Sequence, residues 1–177
     1  IYNDENAYIN SHGFERPGAR DISGDVRYTM RHELTLENVL GLGDSWTTSG
    51  GQWGAWNATY SPRGADGRPV PLWDPKTGKI DHHVAEAWRR YDLREILESR
   101  WSTLGPRLRG KLHIDVGEAD GYFLNNAVHR LDDFLSRAEP AYEGTIRYGP
   151  RQGHCWSGSS QAELSRAMAS RICPDGR

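Results

Sequence analysis

The strongest structural signal in the chain lies in residues 111–156, KLHIDVGEADGYFLNNAVHRLDDFLSRAEPAYEGTIRYGPRQGHCW. This stretch places an acid and a histidine beyond the ends of two predicted strands. A short β-rich run at 112–117 predicts the first strand, and Gly and Asp residues mark the turn that follows it. Apolar residues then recur at three-to-four-residue spacing, which predicts a helix over 121–137. The second strand is predicted at 144–149.

A crossover helix of this kind predicts that the two strands of the βαβ unit at 111–153 are parallel and adjacent. Ligands of such sheets bind at the carboxyl ends of the strands, where both Asp120 and His154 are expected to lie. An acid beside a histidine suits the orienting and general-base parts of a hydrolytic triad. An alternative stays open, in which Asp120 only caps the helix and His154 is an ordinary loop histidine.

Three segments of the chain carry a resemblance to a known family. They are GQWGAWNATYSPRGADGRPVPLWDPKTGKIDHHVAEAWRRYDL (51–93), LGPRLRGKLHIDVGEADGYFLNNAVHRLDDFL (104–135) and GHCW (153–156). Together they resemble the C-terminal part of bacterial serine esterases, in the enterochelin-esterase-like branch of the α/β-hydrolase superfamily. The order of acid, helix, strand and Gly-His also matches the end of that fold.

The resemblance implies an α/β fold that forms the C-terminal portion of a hydrolase sheet. It implies a carboxylic-ester hydrolase with Asp120 as the triad acid and His154 as the triad base. No metal and no organic cofactor are required for such a reaction. The expected substrate is a small-molecule or carbohydrate-linked ester.

The nucleophile that the resemblance requires is not found. A Gly-x-Ser-x-Gly elbow does not occur in these 177 residues. Ser45, in Gly43-Asp44-Ser45, is a weak alternative, because the residues before it look helical and no Asp-x-x-His follows. We therefore expect a C-terminal fragment without esterase activity of its own. Its exposed sheet edge is expected to self-associate or to pair with a missing N-terminal part.

Charge and hydropathy exclude several classes of partner. The net charge is −2 and the pI is near 6.4, which gives no electrostatic signal for nucleic acid or for an anionic membrane. No apolar run is long enough for a transmembrane helix. Cys155 and Cys173 do not fix a redox compartment. Localisation is left open, with a secreted or periplasmic parent protein as one expectation.

The chain is interpreted as a single partial domain, 1–177. Residues 1–80 are expected to form a loop-rich, cap-like region, and 81–177 the helix, strand, helix, strand, helix end of the hydrolase core. Within the first part, 1–30 is interpreted as loop and 31–42 as a short helix. Asp81 is predicted to cap a helical stretch.

Three further patterns concern the second part of the chain. Gly105-Pro106 is predicted to end the helical stretch that follows Asp81. His113 and Asp115 interrupt the first core strand on one face, where they could bond each other or a covering arginine. A last helix is predicted from the apolar residues between 162 and 172.

Aromatic residues concentrate in the glycine-rich stretch 46–60, which is interpreted as a loop. Such rings either plug the edge of the core or line a pocket wall. Trp53, Trp56 and Trp156 are the candidate substrate-binding residues. A competing function is therefore a non-catalytic carbohydrate- or partner-binding domain. His82-His83 does not complete a zinc spacing, and no metal site is predicted.

Overall fold

The computed structural model describes residues 5–40 and 51–173, so Ser45 and Trp46 lie outside it. Within these ranges the chain is a mixed α/β structure with six helices and two small sheets. The elements in chain order are β1 Pro17–Arg20, β2 Val26–Thr29, α1 Met30–Leu40, α2 Gln52–Tyr60, α3 His82–Arg89, α4 Leu93–Leu108, β3 His113–Gly117, α5 Leu124–Leu135, β4 Thr145–Gly149 and α6 Gln161–Ile172.

The predicted βαβ unit is confirmed. Strands β3 and β4 run parallel, in a register that joins His113 to Thr145 and Gly117 to Gly149. Helix α5 connects them and packs against β3. The helix begins at Leu124, later than the predicted residue 121, because Phe123 has a left-handed conformation, φ 62 and ψ 22, which a helical turn does not allow.

The interpretation of residues 1–30 as loop was wrong in part. Strands β1 and β2 form an irregular antiparallel pair, with register shifts on both sides of Ala19. Strands this short show no alternating apolar pattern that a sequence could reveal. Their support is long-range, since the Arg20 backbone N–H donates to the carbonyl oxygen of Gly121 at 2.9 Å.

The interpretation of 46–60 as loop was also wrong where the structure describes that stretch, because 52–60 is helix α2. Its first N–H groups have a distant acceptor. The Glu37 carboxylate, on α1, accepts from the backbone N–H of Trp53 at 2.9 Å and of Gly54 at 3.3 Å. This cap comes from another helix, so no local sequence signal announces it.

Two local predictions for helices α3 and α4 have opposite outcomes. Asp81 caps α3 as predicted, accepting from the N–H of His83 at 2.9 Å. The predicted stop at Gly105-Pro106 was wrong, because α4 kinks at Arg100 and continues to Leu108. Gly105 lies against the indole of Trp101, where a side chain would overlap the ring. That glycine serves helix packing, and it does not end the helix.

The largest apolar core lies in the first half of the chain and includes α3. It brings together buried residues from the segments around α1, α2 and α3: Ala7, Tyr8, Met30, Leu34, Trp53, Leu72, Trp73, Ile80, Val84 and Trp88. A smaller buried set joins α4 to the βαβ unit through Trp101, Val116 and Leu135. The Trp101 and Phe134 rings meet edge to face, with their centroids 5.6 Å apart. The strand-end loops of the βαβ unit therefore lie outside the main core.

The predicted last helix is confirmed as α6, which begins with a capping box between Ser160 and Glu163. All of its residues are exposed, including Leu164, Met168 and Ile172. Among the helices in the described ranges, none combines the length and the apolar character needed to cross a bilayer.

Candidate functional site

The loops that follow β3 and β4 are hydrogen-bonded to each other. The N–H of Glu118 donates to the carbonyl of Gly149, and the N–H of Ala119 donates to the carbonyl of Gln152, both at 2.9 Å. Gly117 permits this approach, because a Cβ there would overlap the backbone oxygens of Gln152 and its neighbour. The parallel register thus continues past the strand ends into the two functional loops.

This joining brings the predicted acid and histidine into contact. The Asp120 Oδ2 atom lies 2.8 Å from His154 Nδ1. The Asp120 side chain is 3 % exposed, whereas the His154 side chain is 42 % exposed. The pair therefore has a buried acid and an imidazole that solvent or a ligand can reach.

The second carboxylate oxygen of Asp120 accepts hydrogen bonds from the main chain. Its Oδ1 atom accepts the backbone N–H of Tyr122 at 2.8 Å and of Leu124 at 3.3 Å. Asp120 therefore caps the start of α5 and also holds the histidine, so the two sequence interpretations of this residue are compatible. The backbone contacts fix the carboxylate independently of His154.

The geometry also assigns the imidazole tautomer. An ionised carboxylate can only accept hydrogen bonds, so His154 Nδ1 carries the proton that faces Asp120. The neutral ring then presents a lone pair on Nε2, as a general base must. In the described residues no hydroxyl group is hydrogen-bonded to His154. The edge of the Tyr122 ring meets the imidazole at 4.8 Å and limits its orientation.

The loop that carries His154 is anchored on its far side by Asp115. The Arg147 guanidinium donates to both Asp115 oxygens, at 2.7 and 2.8 Å. One of these oxygens also accepts the Gly158 N–H at 3.0 Å and the Ser157 hydroxyl at 3.2 Å. Of the two alternatives that the sequence left open, Asp115 bonds a covering arginine and does not bond His113, which contacts the Thr145 hydroxyl.

Electrostatics at Asp115 follow from these contacts. The hydrogen-bonded Arg147 guanidinium lowers the pKa of Asp115 below its ordinary value, and the Gly158 N–H and the Ser157 hydroxyl add to this shift, while burial opposes it. The same pairing raises the pKa of Arg147. The ion pair therefore holds the segment after His154 most firmly when Asp115 is ionised.

The three candidate tryptophans lie in different places. Trp53 is only 8 % exposed and belongs to the main core, where its ring meets Trp73 edge-on at 5.3 Å. Trp56 packs against that core and lines a cleft of about 720 Å³. Trp156 is half-buried and covers Gly149 at the end of β4. Trp156 is therefore the one beside the strand end that leads to His154.

The cleft is separate from the Asp120–His154 pair, and neither residue lines it. Its walls come from helices α2, α3, α4 and α5, and its lining includes Trp56, Tyr60, Trp88, Tyr91, Arg89 and Arg130. Arg89 is neutralised by Glu86 and Glu95 at 3.2 and 2.8 Å. The structure therefore has two distinct candidate sites, one reactive and one aromatic.

A second histidine–acid pair lies close to the first. His129 Nε2 is 3.2 Å from Glu118 Oε2, and its ring stacks on Tyr148 at 4.5 Å. Both partners are more than a third exposed, which makes this a solvated surface contact. His82 and His83 are exposed at the start of α3, and the described residues contain no group of three or more potential metal ligands.

Two contributors to the site were missed at the sequence level. Arg20 contacts the loop that follows β3 and carries Asp120, here called the acid loop, from 100 residues away in the chain. A single arginine in a polar segment gives no signal of such a role. Asp115 was recognised as unusual within its strand, but its bond to the histidine loop was not foreseen. Comparisons of the chain with protein-family models, with curated proteins and with solved structures give no match.

Close backbone approach at Gly117 leads to a stability prediction. We expect Gly117→Ala to lower the free energy of unfolding by about 1–3 kcal/mol, since the added methyl group meets backbone atoms that cannot easily move. Gly153→Ala is the matched control, because a Cβ at Gly153 enters open space. Urea unfolding of the two variants measures the difference. Equal stability of both would contradict the tight joining of the loops.

The Asp115 ion pair leads to a prediction about pH. Because the folded-state pKa is lowered from 3.8, the carboxylate stabilises the fold above that value, and the contribution is lost as the pH falls through the folded-state pKa. Asp115→Asn should be less stable than wild type at neutral pH and should lose less stability on acidification. Urea midpoints from about pH 7 to about pH 3 measure this. Asp133→Asn, an exposed position on α5, should keep the wild-type slope.

Proposed function

We propose that this chain supplies the acid and the base of a serine carboxylic-ester hydrolase and forms the C-terminal portion of an α/β-hydrolase sheet. The observation that carries the proposal is the 2.8 Å contact between a buried carboxylate and a reachable imidazole at the carboxyl ends of two parallel strands. The sequence resemblance to bacterial esterases points to the same reaction.

Each residue of the pair has a defined role in this proposal. His154 Nε2 takes the proton of the serine hydroxyl as its oxygen attacks the ester carbonyl, and then gives that proton to the departing alcohol. In the second half of the cycle the same atom takes a proton from water as its oxygen attacks the acyl-enzyme, and it returns that proton to the serine oxygen as the bond to the carboxylic acid product breaks. Asp120 keeps the proton on Nδ1 and stabilises the imidazolium that forms in each half.

The nucleophilic serine belongs, in this proposal, outside residues 1–177. The chain has no Gly-x-Ser-x-Gly elbow, and no described hydroxyl bonds to the imidazole. A serine that meets His154 Nε2 would have to approach from the exposed side of the ring. The surface around Tyr122, which is 47 % exposed beside His154, is open for that approach.

The proposal is tested on the product of the whole parent gene. A fluorophosphonate probe should label one serine in that protein, and p-nitrophenyl acetate should be hydrolysed. Asp120→Asn should lower kcat by a factor on the order of 10⁴, since the asparagine favours the wrong tautomer, and His154→Ala should abolish labelling. Residues 1–177 alone should show no turnover above that of free imidazole.

His129→Gln is the matched control, because His129 also pairs with a carboxylate but lies on a solvated surface. Its activity should equal that of wild type. Full activity in both Asp120→Asn and His154→Ala would overturn the proposal. Labelling of Ser45 would keep the reaction class but would place the nucleophile inside this chain.

A second candidate function rests on the aromatic cleft. Its volume of about 720 Å³ is in the range of small-molecule sites. Tyr60 and Tyr91 contact each other at 5.2 Å, and Tyr91 is 42 % exposed, so part of its ring is available to a ligand. Aromatic faces beside paired arginine and carboxylate groups suit a sugar, which gives both apolar and hydroxyl contacts. This candidate is a carbohydrate-binding domain.

Soluble oligosaccharides such as cellotetraose test this candidate through the fluorescence of the cleft tryptophans. We expect Tyr91→Ala to weaken binding about tenfold, which corresponds to the loss of one aromatic contact. Tyr122→Ala, at an equally exposed tyrosine outside the cleft, should bind like wild type. Equal losses in the two variants, or no binding by wild type, would exclude the candidate.

A further inference from the structure

We infer that Arg20 is a positioning residue for the Asp120–His154 pair, an inference that rests on the proposed function. Arg20 ends strand β1, in the stretch whose sequence looks like a polar loop. It reaches the acid loop, residues 118–121, from the first hairpin, which β1 and β2 form. The hairpin thereby becomes part of the reactive site's support.

The side chain of Arg20 binds the acid loop at two points and helix α5 at a third. Its Nε donates to the carbonyl oxygen of Asp120 at 3.0 Å, and one Nη donates to the carbonyl oxygen of Glu118 at 3.3 Å. The same Nη donates to Oδ1 of Asn125 at 3.1 Å, and Asn125 is 6 % exposed. A guanidinium offers these donors in one rigid plane, which a lysine cannot reproduce.

The main chain of Arg20 adds a second attachment. Its N–H donates to the carbonyl oxygen of Gly121 at 2.9 Å. With the side-chain bonds, Arg20 therefore holds the carbonyls of three residues of one turn, Glu118, Asp120 and Gly121. Fixing the peptide planes that follow Glu118, Asp120 and Gly121 limits the directions in which the Asp120 carboxylate can point.

Backbone strain in the same turn explains why such support is needed. Phe123 has φ 62 and ψ 22, a left-handed conformation that is strained for a bulky residue. The Arg20 guanidinium lies over the Phe123 ring at 4.7 Å. A cation held against this face favours the strained turn. That turn directs the N–H groups of Tyr122 and Leu124 to Asp120 Oδ1.

The hairpin also reaches the histidine side of the pair. The Tyr28 hydroxyl, on β2, donates to the Tyr122 hydroxyl at 3.4 Å, and the Tyr122 ring meets His154 edge-on. Both strands of the hairpin therefore contact residues that touch the acid or the imidazole. Removing the Arg20 contacts should leave the carboxylate able to rotate away from Nδ1.

The test reads the tautomer of His154 in residues 1–177, by long-range ¹H–¹⁵N spectra of ¹⁵N-histidine-labelled protein. Spectra are recorded at about pH 8.5, where an ordinary histidine is neutral. Wild type should show a single Nδ1–H tautomer. Arg20→Met should lose it and give a mixture of both tautomers, with the thermal transition still cooperative. Arg27→Met, an exposed arginine on β2, should keep the wild-type spectrum.

Two further variants make the result decisive. Arg20→Gly with millimolar guanidinium should recover the Nδ1–H tautomer, whereas equal methylammonium should not. Arg20→Lys keeps the positive charge but lacks the planar set of guanidinium donors, so it should behave like Arg20→Met. If Arg20→Met fails to fold, Arg20→Lys is used in its place.

The outcomes separate this inference from the proposed function. If Asp120→Asn removes the single tautomer but Arg20→Met and Arg20→Lys retain it, the pair stands and the role of Arg20 is overturned. If wild type itself lacks the Nδ1–H tautomer, the pair and the proposed reaction fail together. Loss of the tautomer in Arg27→Met as well would also overturn the inference, because the effect would not be specific to Arg20.

Discussion

The site depends on the fact that the two carboxylate oxygens of Asp120 bind different partners. Oδ1 is fixed by backbone N–H groups at the start of α5, and Oδ2 is thereby directed at His154. A carboxylate held by the main chain loses little further freedom when it binds an imidazole. The Asp120 carboxylate therefore caps the helix and orients the histidine at the same time. The first residue of the helix, Leu124, donates its N–H to the same carboxylate that holds the histidine.

The two loops of the site are supported from different parts of the chain. The acid loop is held by Arg20 from the first hairpin, whereas the histidine loop is held by Asp115 from inside β3. The backbone bonds beyond Gly117 join the loops at the centre. Support from three directions lets a two-stranded sheet fix a geometry that short strands alone would leave loose.

Sequence reasoning succeeded where the signal was local and periodic. The strands, the crossover helix and their parallel pairing follow from 111–156, and the meeting of Asp120 with His154 follows from that topology. It failed where the stabilising partner is distant. Helix α2 is capped by Glu37, and the first hairpin is hydrogen-bonded to Gly121. The local sequence of these two segments therefore does not predict their secondary structure. Gly105 misled for another reason, because its role is packing against an indole.

Helix α5 connects the reactive pair to the aromatic cleft. Asp120 caps its first turn, and Arg130 lines the cleft from the same helix, six residues after Leu124 and so roughly 9 Å along the axis. A ligand in the cleft would thus lie beside the same helix, although neither Asp120 nor His154 lines the cleft. Under the esterase proposal, the cleft could hold only a remote part of a large ester, whose binding energy would serve to orient the scissile bond. The carbohydrate-binding and esterase functions would then describe two ends of one substrate, held at a fixed separation by a single rigid helix.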